Sequence, residues 1–409
     1  MDRGLGLGRL VVGAAMALFL LLPAMAVAVD STPVAVAAGD FDTKAKFAVL
    51  MDFDSGTVIF QKAADDPMEP ASMAKLMTLA VVFNQLKTNR IALTDEFFIS
   101  EHAWRDGGAK SGSSTMFAKL NSKVPIEDLI YGVIVQSGND AAIALAEGIA
   151  GSEGTFANME NQLSAQIGLT GSHWTNSSGL PDPDMHTTAR DLANLARYLI
   201  KNFPEYYHIF SEKEFTWNGI KQPNRNSLLE MGIGVDGLKT GHSEEAGYGS
   251  VVSTTDGGRR LIAVVHGLTS MRERGEEGRK LLTWGTRSFE RVSVFPKGKI
   301  VGYANVYGGK ESRVGLVGEG DIEFFLPKGA TNCPQANITY QGPLRPPVQQ
   351  GDKVAQLQVL CNGLVIQSVP LFAADSVEEG GFMNRALAAL KKVPLKDVQA
   401  AALAAWHSR

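Results

Sequence analysis

Two β-patterned regions enclose a long helical region in the first three quarters of the chain. The first comprises Phe47 to Asp52 and Thr57 to Lys62, which flank a short DSG turn and therefore predict a hairpin. The second comprises YGSVVSTT and RLIAVVHGL, at 248–255 and 260–268, joined by a glycine-rich turn. Strands at both ends with helices between them predict one sheet assembled from the two ends of a domain, which we place at residues 40–292.

Between these strands the apolar residues follow the spacing of amphipathic helices. The pattern is clearest at 126–137, 141–149 and 189–201, and the Pro70-Ala71 pair marks the opening of an earlier helix. A last helix is predicted at 276–292, after the second strand region. The elements are those of an α+β domain in which helices flank an antiparallel sheet.

The last quarter of the chain contains two regions whose sequence patterns differ from that of the first domain and from each other. Short β-patterned runs between Gly, Pro and Asn turns predict a small all-β domain at 296–375; the runs are Ile300–Val306, Ile322–Leu326, Asn337–Tyr340, Val354–Leu360 and Leu364–Phe372. The tail is placed at 376–409, and from residue 381 onward it combines an apolar stripe at helical spacing with five basic side chains, one Asp and Trp406. Such a basic amphipathic helix is typical of a membrane surface, and the alternative is a packed C-terminal helix.

The N-terminus and the composition limit where the protein works and what it binds. Arg3 and Arg9 precede an apolar run followed by small residues, so residues 1–28 are predicted to be a cleaved signal peptide. The formal net charge of −4 includes no basic excess that would indicate nucleic acid. The only two cysteines, Cys333 and Cys361, could pair in an exported protein. Without a CxxC or an HExxH motif, no metal or other cofactor is expected.

The segment PASMAKLMT places Ser72 three residues before Lys75 at the start of an apolar helix. Positions i and i+3 share one face of a helix, so the serine hydroxyl and the lysine amine can meet. The residues next to Lys75 are apolar, and apolar surroundings lower the proton affinity of an amine, which makes it a base near neutral pH. The alternative is a serine that caps the helix and a solvated lysine.

Two further segments hold candidate partners of Ser72. QSGNDAAIALAE places Ser137 and Asn139 in a tight turn between two apolar helices, although such residues are also ordinary in a helix–helix connection. VDGLKTGHSEEAGY places Lys239-Thr240-Gly241-His242 before strand-like sequence, where a lysine could instead protect an exposed edge strand. A second Lys-Ser-Gly begins at Lys110, but it lies in a Gly/Ser-rich stretch and is interpreted as a loop.

Ser-x-x-Lys, Ser-x-Asn and Lys-Thr-Gly, in this order, resemble the signature of penicillin-binding proteins and serine β-lactamases. The flanks PASMAKLMT, QSGNDAAIALAE, NRNSLL, VDGLKTGHSEEAGY and RKLLTWG look like the low-molecular-mass D-alanyl-D-alanine carboxypeptidases, the group of penicillin-binding protein 5. The resemblance covers nearly the whole mature chain. It implies the penicillin-binding fold and a serine-type carboxypeptidase that removes the terminal D-alanine from peptidoglycan pentapeptide stems and is acylated and inhibited by β-lactams.

The resemblance also implies a role for each matched residue. Ser72 would be the nucleophile, Lys75 the base that takes its proton, and Ser137 the relay to the leaving amine. Among the substrate-binding residues, Asn139 would hold a peptide amide, and Lys239 with Thr240 would bind the free carboxylate. Gly241 would allow the substrate backbone to approach closely. The backbone N–H groups of His242 and Ser72 would bind the oxyanion. Arg225 in NRNSLL and Arg274 in RERGEEG match positions near the carboxylate pocket, the second in a loop that differs here.

Two other functions compete with this interpretation. A class A β-lactamase uses a glutamate to activate the deacylating water, and SSGLPDPDMHTTARDL has no Glu-x-x-Leu-Asn in the expected region. The second is a cell-wall scaffold with a vestigial site, against which three intact motifs argue. We therefore expect an exported enzyme whose tail attaches it peripherally to the outer face of the cytoplasmic membrane.

Overall fold

The computed structural model describes residues 41–328, 334–361, 364–382 and 384–385. The predicted signal peptide, Cys333 and most of the predicted C-terminal helix lie outside these residues. The first elements are β1 Phe47–Asp52, β2 Val58–Lys62, α1 Lys75–Lys87, β3 Glu96–Phe98, α2 Glu101–Asp106, β4 Lys123–Pro125, α3 Ile126–Ile134, α4 Asn139–Ala150, α5 Glu153–Gln166, α6 Ala189–Asn202 and α7 Pro204–Tyr207. They are followed by β5 Glu214–Trp217, β6 Ile220–Pro223, β7 Val235–Ser243, β8 Gly247–Thr254, β9 Leu261–Leu268, α8 Met271–Ser288, β10 Phe289–Phe295, β11 Gly302–Asn305, β12 Arg313–Val317, β13 Ile322–Pro327, β14 Gln335–Thr339, β15 Lys353–Cys361 and β16 Leu364–Ala373.

A five-stranded antiparallel sheet is assembled from the two ends of the first part of the chain. Its strand order is β2-β1-β9-β8-β7, and the central pairing of β1 with β9 sets Val49 opposite Val264. This confirms the prediction of one sheet built from both ends with helices between. The last strand of the order, β7, carries the Lys-Thr-Gly segment along the edge of the sheet.

Alternate residues of the sheet face two different hydrophobic cores. Val49 and Met51 pack with the apolar residues of α1 and α3 to α6, whereas Ala48 and Leu50 pack with Leu281 of α8. Successive side chains of a strand point to opposite faces, so a sheet covered on both faces needs apolar residues at every position. This explains why β1 and β9 read as continuous apolar runs.

The helix that closes this part of the chain ends earlier than the sequence pattern predicts. α8 begins after Ser270, whose side chain accepts a hydrogen bond from the Glu273 N–H, and it ends at Ser288. Residues from Phe289 onward were expected in the helix, but they form β10, which pairs with β13. Within this strand only Arg291 to Val294 alternate polar and apolar residues, and so short a strand pattern did not stand out at the end of a longer helical one.

A second five-stranded sheet, of order β11-β12-β16-β15-β14, forms the all-β part of the chain. Its strand β12 was not predicted, because RVGLV is short and its glycine weakens the strand pattern. The chain remains paired beyond residue 375, since Val377 and Val348 exchange two backbone hydrogen bonds of 2.8 and 2.9 Å. Within the described ranges, every helix is too short or too polar to cross a bilayer.

Candidate active site

Ser72 lies in a single 3-10 turn, Ala71–Ala74, which leads directly into α1. Neither this turn nor α1 has a side-chain hydrogen bond at its N-cap, so Ser72 does not act as a helix cap. Ala71 has a φ of 46°, in the left-handed region that is unfavourable for a residue with a Cβ. Strand β7 packs closely against this turn, since a Cβ at Gly241 would lie 3.1 Å from the Pro70 carbonyl oxygen.

The Lys75 amine is fully buried and has three oxygen neighbours. Its Nζ lies 3.0 Å from Ser72 Oγ, 2.6 Å from Asn139 Oδ1 and 2.5 Å from the Ser178 carbonyl oxygen. Amide and carbonyl oxygens can only accept hydrogen bonds, so Asn139 and Ser178 take two N–H groups of the amine. In the neutral amine the lone pair then faces the Ser72 hydroxyl, which is the geometry of a base that removes the serine proton.

The pKa of Lys75 is lowered from 10.5 to about 7. Burial is the main cause, because it disfavours the charged amine, and the positive charge of Arg225 is the second. The carboxylates of Asp140 and Glu153 act in the opposite direction. A large fraction of Lys75 is therefore neutral near pH 7, in the direction that its apolar sequence context predicted.

The Ser137–Asn139 turn connects α3 to α4, and it brings both side chains to the two buried lysines. Ser137 has a φ of 58°, and its Oγ accepts a hydrogen bond of 2.9 Å from Lys239 Nζ. Asn139, the first residue of α4, accepts from Lys75 and donates from Nδ2 to Ser113 Oγ at 2.9 Å. The three sequence motifs thus meet in one hydrogen-bonded cluster.

Lys239 and Thr240 are buried on β7, whereas His242 is exposed and stacks on Tyr248 with 3.9 Å between ring centroids. The pKa of Lys239 lies well below its ordinary value because of burial and then because of the charge of Lys75, with Arg225 and Arg274 adding to the effect. Two amines that repel each other in this way titrate as a pair. An anion beside Lys239 would favour its charged form and leave Lys75 as the neutral member.

A cavity of about 360 Å³ opens over Ser72. Beside Ser72 and Asn139 it is lined by Ser113 and Ser114, from the Gly/Ser-rich segment that the sequence indicated only as a loop. Lys110 of the same segment is exposed and lies 4.4 Å from the centre of the Trp104 ring. The segment is a loop, as interpreted, with one 3-10 turn at Ala109–Ser111, but sequence reasoning missed that Ser113 and Ser114 belong to the site.

The segment 176–180 supplies the Ser178 carbonyl group, which sequence reasoning also missed. Asn176 Oδ1 accepts hydrogen bonds from the N–H groups of Ser178, Gly179 and Leu180 and so shapes this turn. Gly179 has a φ of 75°, and a Cβ there would lie 1.9 Å from the Ala71 carbonyl oxygen. Only glycine permits this approach to the Ser72 turn. The sequence NSSG indicates a turn, but every residue type has a backbone carbonyl, so the sequence does not indicate which carbonyl accepts from Lys75.

The two arginines predicted near a carboxylate pocket lie one behind the other. Arg225 lines the cavity, and its Nη1 donates to Ser114 Oγ at 2.5 Å. Arg274 is buried, and its Nη2 donates to the Arg225 carbonyl oxygen at 3.0 Å. The Arg274 guanidinium also lies 5.9 Å from the centre of the Tyr248 ring. Arg274 therefore supports Arg225 and contacts Tyr248 of β8, the ring on which His242 stacks.

This arrangement can form and hydrolyse an ester on Ser72. A serine hydroxyl beside a neutral buried amine is an activated nucleophile, and Lys239 with Arg225 supplies positive charge for an anionic ligand. Among the described residues, no group of three or more His, Cys, Asp and Glu side chains is placed to hold a metal ion.

Two family models match the chain. The model described as D-alanyl-D-alanine carboxypeptidase matches residues 32–270, and the one described as penicillin-binding protein 5, C-terminal domain, matches residues 289–379. The first match contains the whole hydrogen-bonded cluster around Ser72, and the second contains the all-β part of the chain.

The relatives include D-alanyl-D-alanine carboxypeptidase DacC of Escherichia coli, 42% identical over 341 residues, which are 82% of this chain and 85% of DacC. The crystal structure of penicillin-binding protein 5 from Haemophilus influenzae superposes with a TM-score of 0.73 and 39% identity, over 83% of this chain and 99% of that one. Penicillin-binding protein D2 from Listeria monocytogenes, solved in the ampicillin-bound form, superposes with a TM-score of 0.52 and 25% identity, over 60% of this chain and 98% of that one.

Proposed function

The chain belongs to the D-alanyl-D-alanine carboxypeptidase family, and we propose that it removes the terminal D-alanine of peptidoglycan pentapeptide stems through an ester on Ser72. The family gives the class of enzyme, a serine-type carboxypeptidase. The observation that carries the residue assignment is the set of three contacts of Lys75, two of which occupy its N–H groups and leave its lone pair to Ser72.

In the acylation step, Ser72 Oγ attacks the carbonyl carbon between the two D-alanines while its proton passes to Lys75 Nζ. The bond from that carbon to the leaving nitrogen then breaks, and the nitrogen takes the proton that Lys75 received from Ser72, relayed through Ser137 Oγ, so that Lys75 is neutral again. D-Alanine departs and the remaining peptide stays as an ester. In deacylation, water gives a proton to Lys75 and attacks the ester carbon. The bond from that carbon to Ser72 Oγ then breaks, the shortened peptide departs as an acid, and Lys75 returns the proton to Ser72. Two smaller barriers replace the single barrier of amide hydrolysis.

The buried cations match the free carboxylate of the stem peptide. Lys239 and the Thr240 hydroxyl would bind it, and Arg225, held from behind by Arg274, would add charge at the cavity wall. Gly241 lets β7 lie close against the Ser72 turn, and β7, as the last strand of the sheet, would offer its edge to the peptide backbone. The backbone N–H groups of Ser72 and His242 would hold the oxyanion, at about 3 kcal/mol each.

Asn139 has a double role in this scheme. Its side chain orients Lys75 and Ser113 and also lines the cavity, where a substrate amide would bind. Replacing Asn139 would therefore disturb the base as well as substrate binding.

β-Lactams would acylate the same serine, because their strained amide carbonyl is attacked in the same way as the peptide. Among the described residues that line the cavity, none is a carboxylate. A class A β-lactamase needs a glutamate to activate the water that releases the acyl group. This composition supports slow release of the penicilloyl group, and thus inhibition, over efficient β-lactam hydrolysis.

Mass spectrometry of the protein after incubation with benzylpenicillin tests the assignment. One adduct is expected, on the peptide that contains Ser72, and a D-Ala-D-Ala tripeptide should be shortened by one alanine. Ser72→Ala should abolish both, while Ser111→Ala, in the neighbouring exposed loop, serves as the matched control. An adduct on Ser137 or Ser111 would overturn the role of Ser72, and no adduct at all would favour the scaffold.

We also propose where this enzyme works and how its parts divide the task. Residues 1–28 would direct export, and residues 40–292 would carry catalysis. The tail, 376–409, has side-chain charges that sum to +4 from residue 381 onward, together with Trp406. These features support peripheral attachment to the outer face of the cytoplasmic membrane.

A further inference from the structure

A buried carboxyl group lies beneath the segment that presents the Ser178 carbonyl to Lys75. Glu160 of α5 is 1% exposed, and its Oε1 lies 2.9 Å from Thr78 Oγ1. Thr78 follows Lys75 on α1 by three residues, so it lies on the same face of the helix. The other carboxyl oxygen, Glu160 Oε2, has no hydrogen-bond partner among the described residues.

Counting hydrogens assigns the protonation state of Glu160. The Thr78 hydroxyl has one hydrogen, and it lies 2.6 Å from the Ser177 carbonyl oxygen, which can only accept. If Thr78 donates to Ser177, its 2.9 Å contact with Glu160 requires Glu160 to be the donor. Glu160 is then a neutral acid, which also lowers the cost of an unpartnered Oε2 in the protein interior.

The electrostatics of the site support the neutral acid. The pKa of Glu160 is raised well above its ordinary value, mainly by burial; the hydrogen bond with Thr78 acts in the opposite direction, and the negative charge of Glu153 raises the pKa further. The titratable groups on α5 and on the helices packed against it are Glu153 on α5, Lys75 and Lys87 on α1, and Asp140 and Glu147 on α4. Of these, the Glu153 carboxylate is the one whose charge raises the pKa of Glu160.

The Ser177–Ser178 peptide is the link between Glu160 and the base. Glu153 accepts hydrogen bonds from the N–H and the hydroxyl of Ser177, at 3.0 and 2.6 Å. Thr78 holds the carbonyl of the same residue. The next carbonyl in the chain, that of Ser178, accepts from Lys75 at 2.5 Å. Fixing Ser177 from both sides therefore fixes the acceptor that orients the Lys75 amine.

We propose that Glu160 is a positioning residue that acts by holding a proton. As a neutral acid it donates to Thr78 and leaves the threonine hydrogen on Ser177, so that the Ser178 carbonyl stays against Lys75. When Glu160 ionises, its carboxylate takes the threonine hydrogen, because a hydrogen bond to a charged acceptor is the stronger one. The Ser177 carbonyl then loses its donor and the base loses its alignment. The inference rests on the proposed role of Lys75 as the base.

The infrared difference spectrum between the full-length protein and Glu160→Gln tests the proton directly. At neutral pH it should contain one C=O band of a buried carboxylic acid, and raising the pH should convert this band to carboxylate bands. A spectrum with carboxylate bands alone at neutral pH would overturn the proposal. This readout needs no activity, so it also separates a failure here from a failure of the Ser72 assignment, which the penicillin adduct tests independently.

Acylation rates by a labelled penicillin test the positioning role. Thr78→Val removes the donor to Ser177 and should slow acylation about tenfold, the value of one ordinary hydrogen bond. Thr78→Ser keeps the hydroxyl and should restore most of the rate, which excludes a mere packing defect. Glu160→Gln keeps a donor that does not titrate, so its acylation should persist to higher pH than that of wild type. Equal rates for the two threonine variants, or an unshifted alkaline limit in Glu160→Gln, would contradict the proposal.

Discussion

The acylation rate should fall on the acidic side of pH 7, because only neutral Lys75 can take the proton of Ser72. Its pKa of about 7 means that each pH unit below this value lowers the neutral fraction, and with it the rate, about tenfold. Holding this amine neutral at pH 7 against an ordinary pKa of 10.5 costs about 5 kcal/mol, at 1.36 kcal/mol per pKa unit. Burial contributes most of that free energy, since the amine has no contact with solvent.

Two substitutions separate this explanation from a general effect of acid. Arg225→Gln removes the neighbouring cation that is the second cause of the low pKa, so the acidic limb should move to higher pH. Lys75→Arg should lose acylation at every pH tested, because a guanidinium is not deprotonated in proteins.

The assay is the second-order rate constant for labelling by a fluorescent penicillin between pH 5 and 9, which reports groups of the free enzyme. Circular dichroism at each pH provides the control that the fold is intact. A flat profile between pH 5 and 8, or a limb that Arg225→Gln leaves in place, would refute the assignment of Lys75 as the titrating base.

Two other predictions concern parts of the chain with different roles. Lys239→Gln should slow cleavage of a peptide with a free terminal carboxylate about 100-fold more than cleavage of the amidated peptide. Lys110→Ala, the control, should leave both rates unchanged. Equal losses for the two peptides would exclude Lys239 from carboxylate binding. A chain that ends at Gly381 should cleave small peptides normally but lose binding to anionic liposomes at low salt, since each basic residue near such a surface contributes about 1 kcal/mol. If the full-length protein does not bind these liposomes, the tail is a packed C-terminal helix and not a membrane anchor.

Ser72 and Lys75 could be predicted from their spacing, and the other side chains of the site from the resemblance of their motifs to the penicillin-binding signature. Ser72 and Lys75 meet where a 3-10 turn leads into α1, and Ser137 with Asn139 lies in the turn that opens α4. The fold could be predicted from the pattern of apolar residues, since its period distinguishes the helices from the strands of the central sheet. The failures were local: α8 gives way to β10 at Phe289, β12 was too short to recognise, and the two-stranded sheets β3-β4 and β5-β6 were not predicted.

The other half of the site could not be predicted, because its members are backbone groups and small residues in loops. The Ser178 carbonyl lies 103 residues from Lys75 in sequence, and any residue type has a carbonyl. Ser113 and Ser114 lie in a segment whose composition indicates only a loop. Glu160 falls in a helix where a glutamate is ordinarily exposed, and only the fold shows that it is buried.

These groups explain why the base is aligned by a loop as well as by its own helix. Lys75 and Thr78, three residues apart on α1, bind the carbonyl oxygens of Ser178 and Ser177 in turn. Two consecutive backbone carbonyls of the loop therefore accept hydrogen bonds from two side chains that lie one turn apart on the same face of α1. A shift of the loop by one residue would break both hydrogen bonds at once, whereas a single contact could be replaced by a neighbouring carbonyl. The paired contacts thus set the register of the loop on the helix, and this register determines where the lone pair of Lys75 points.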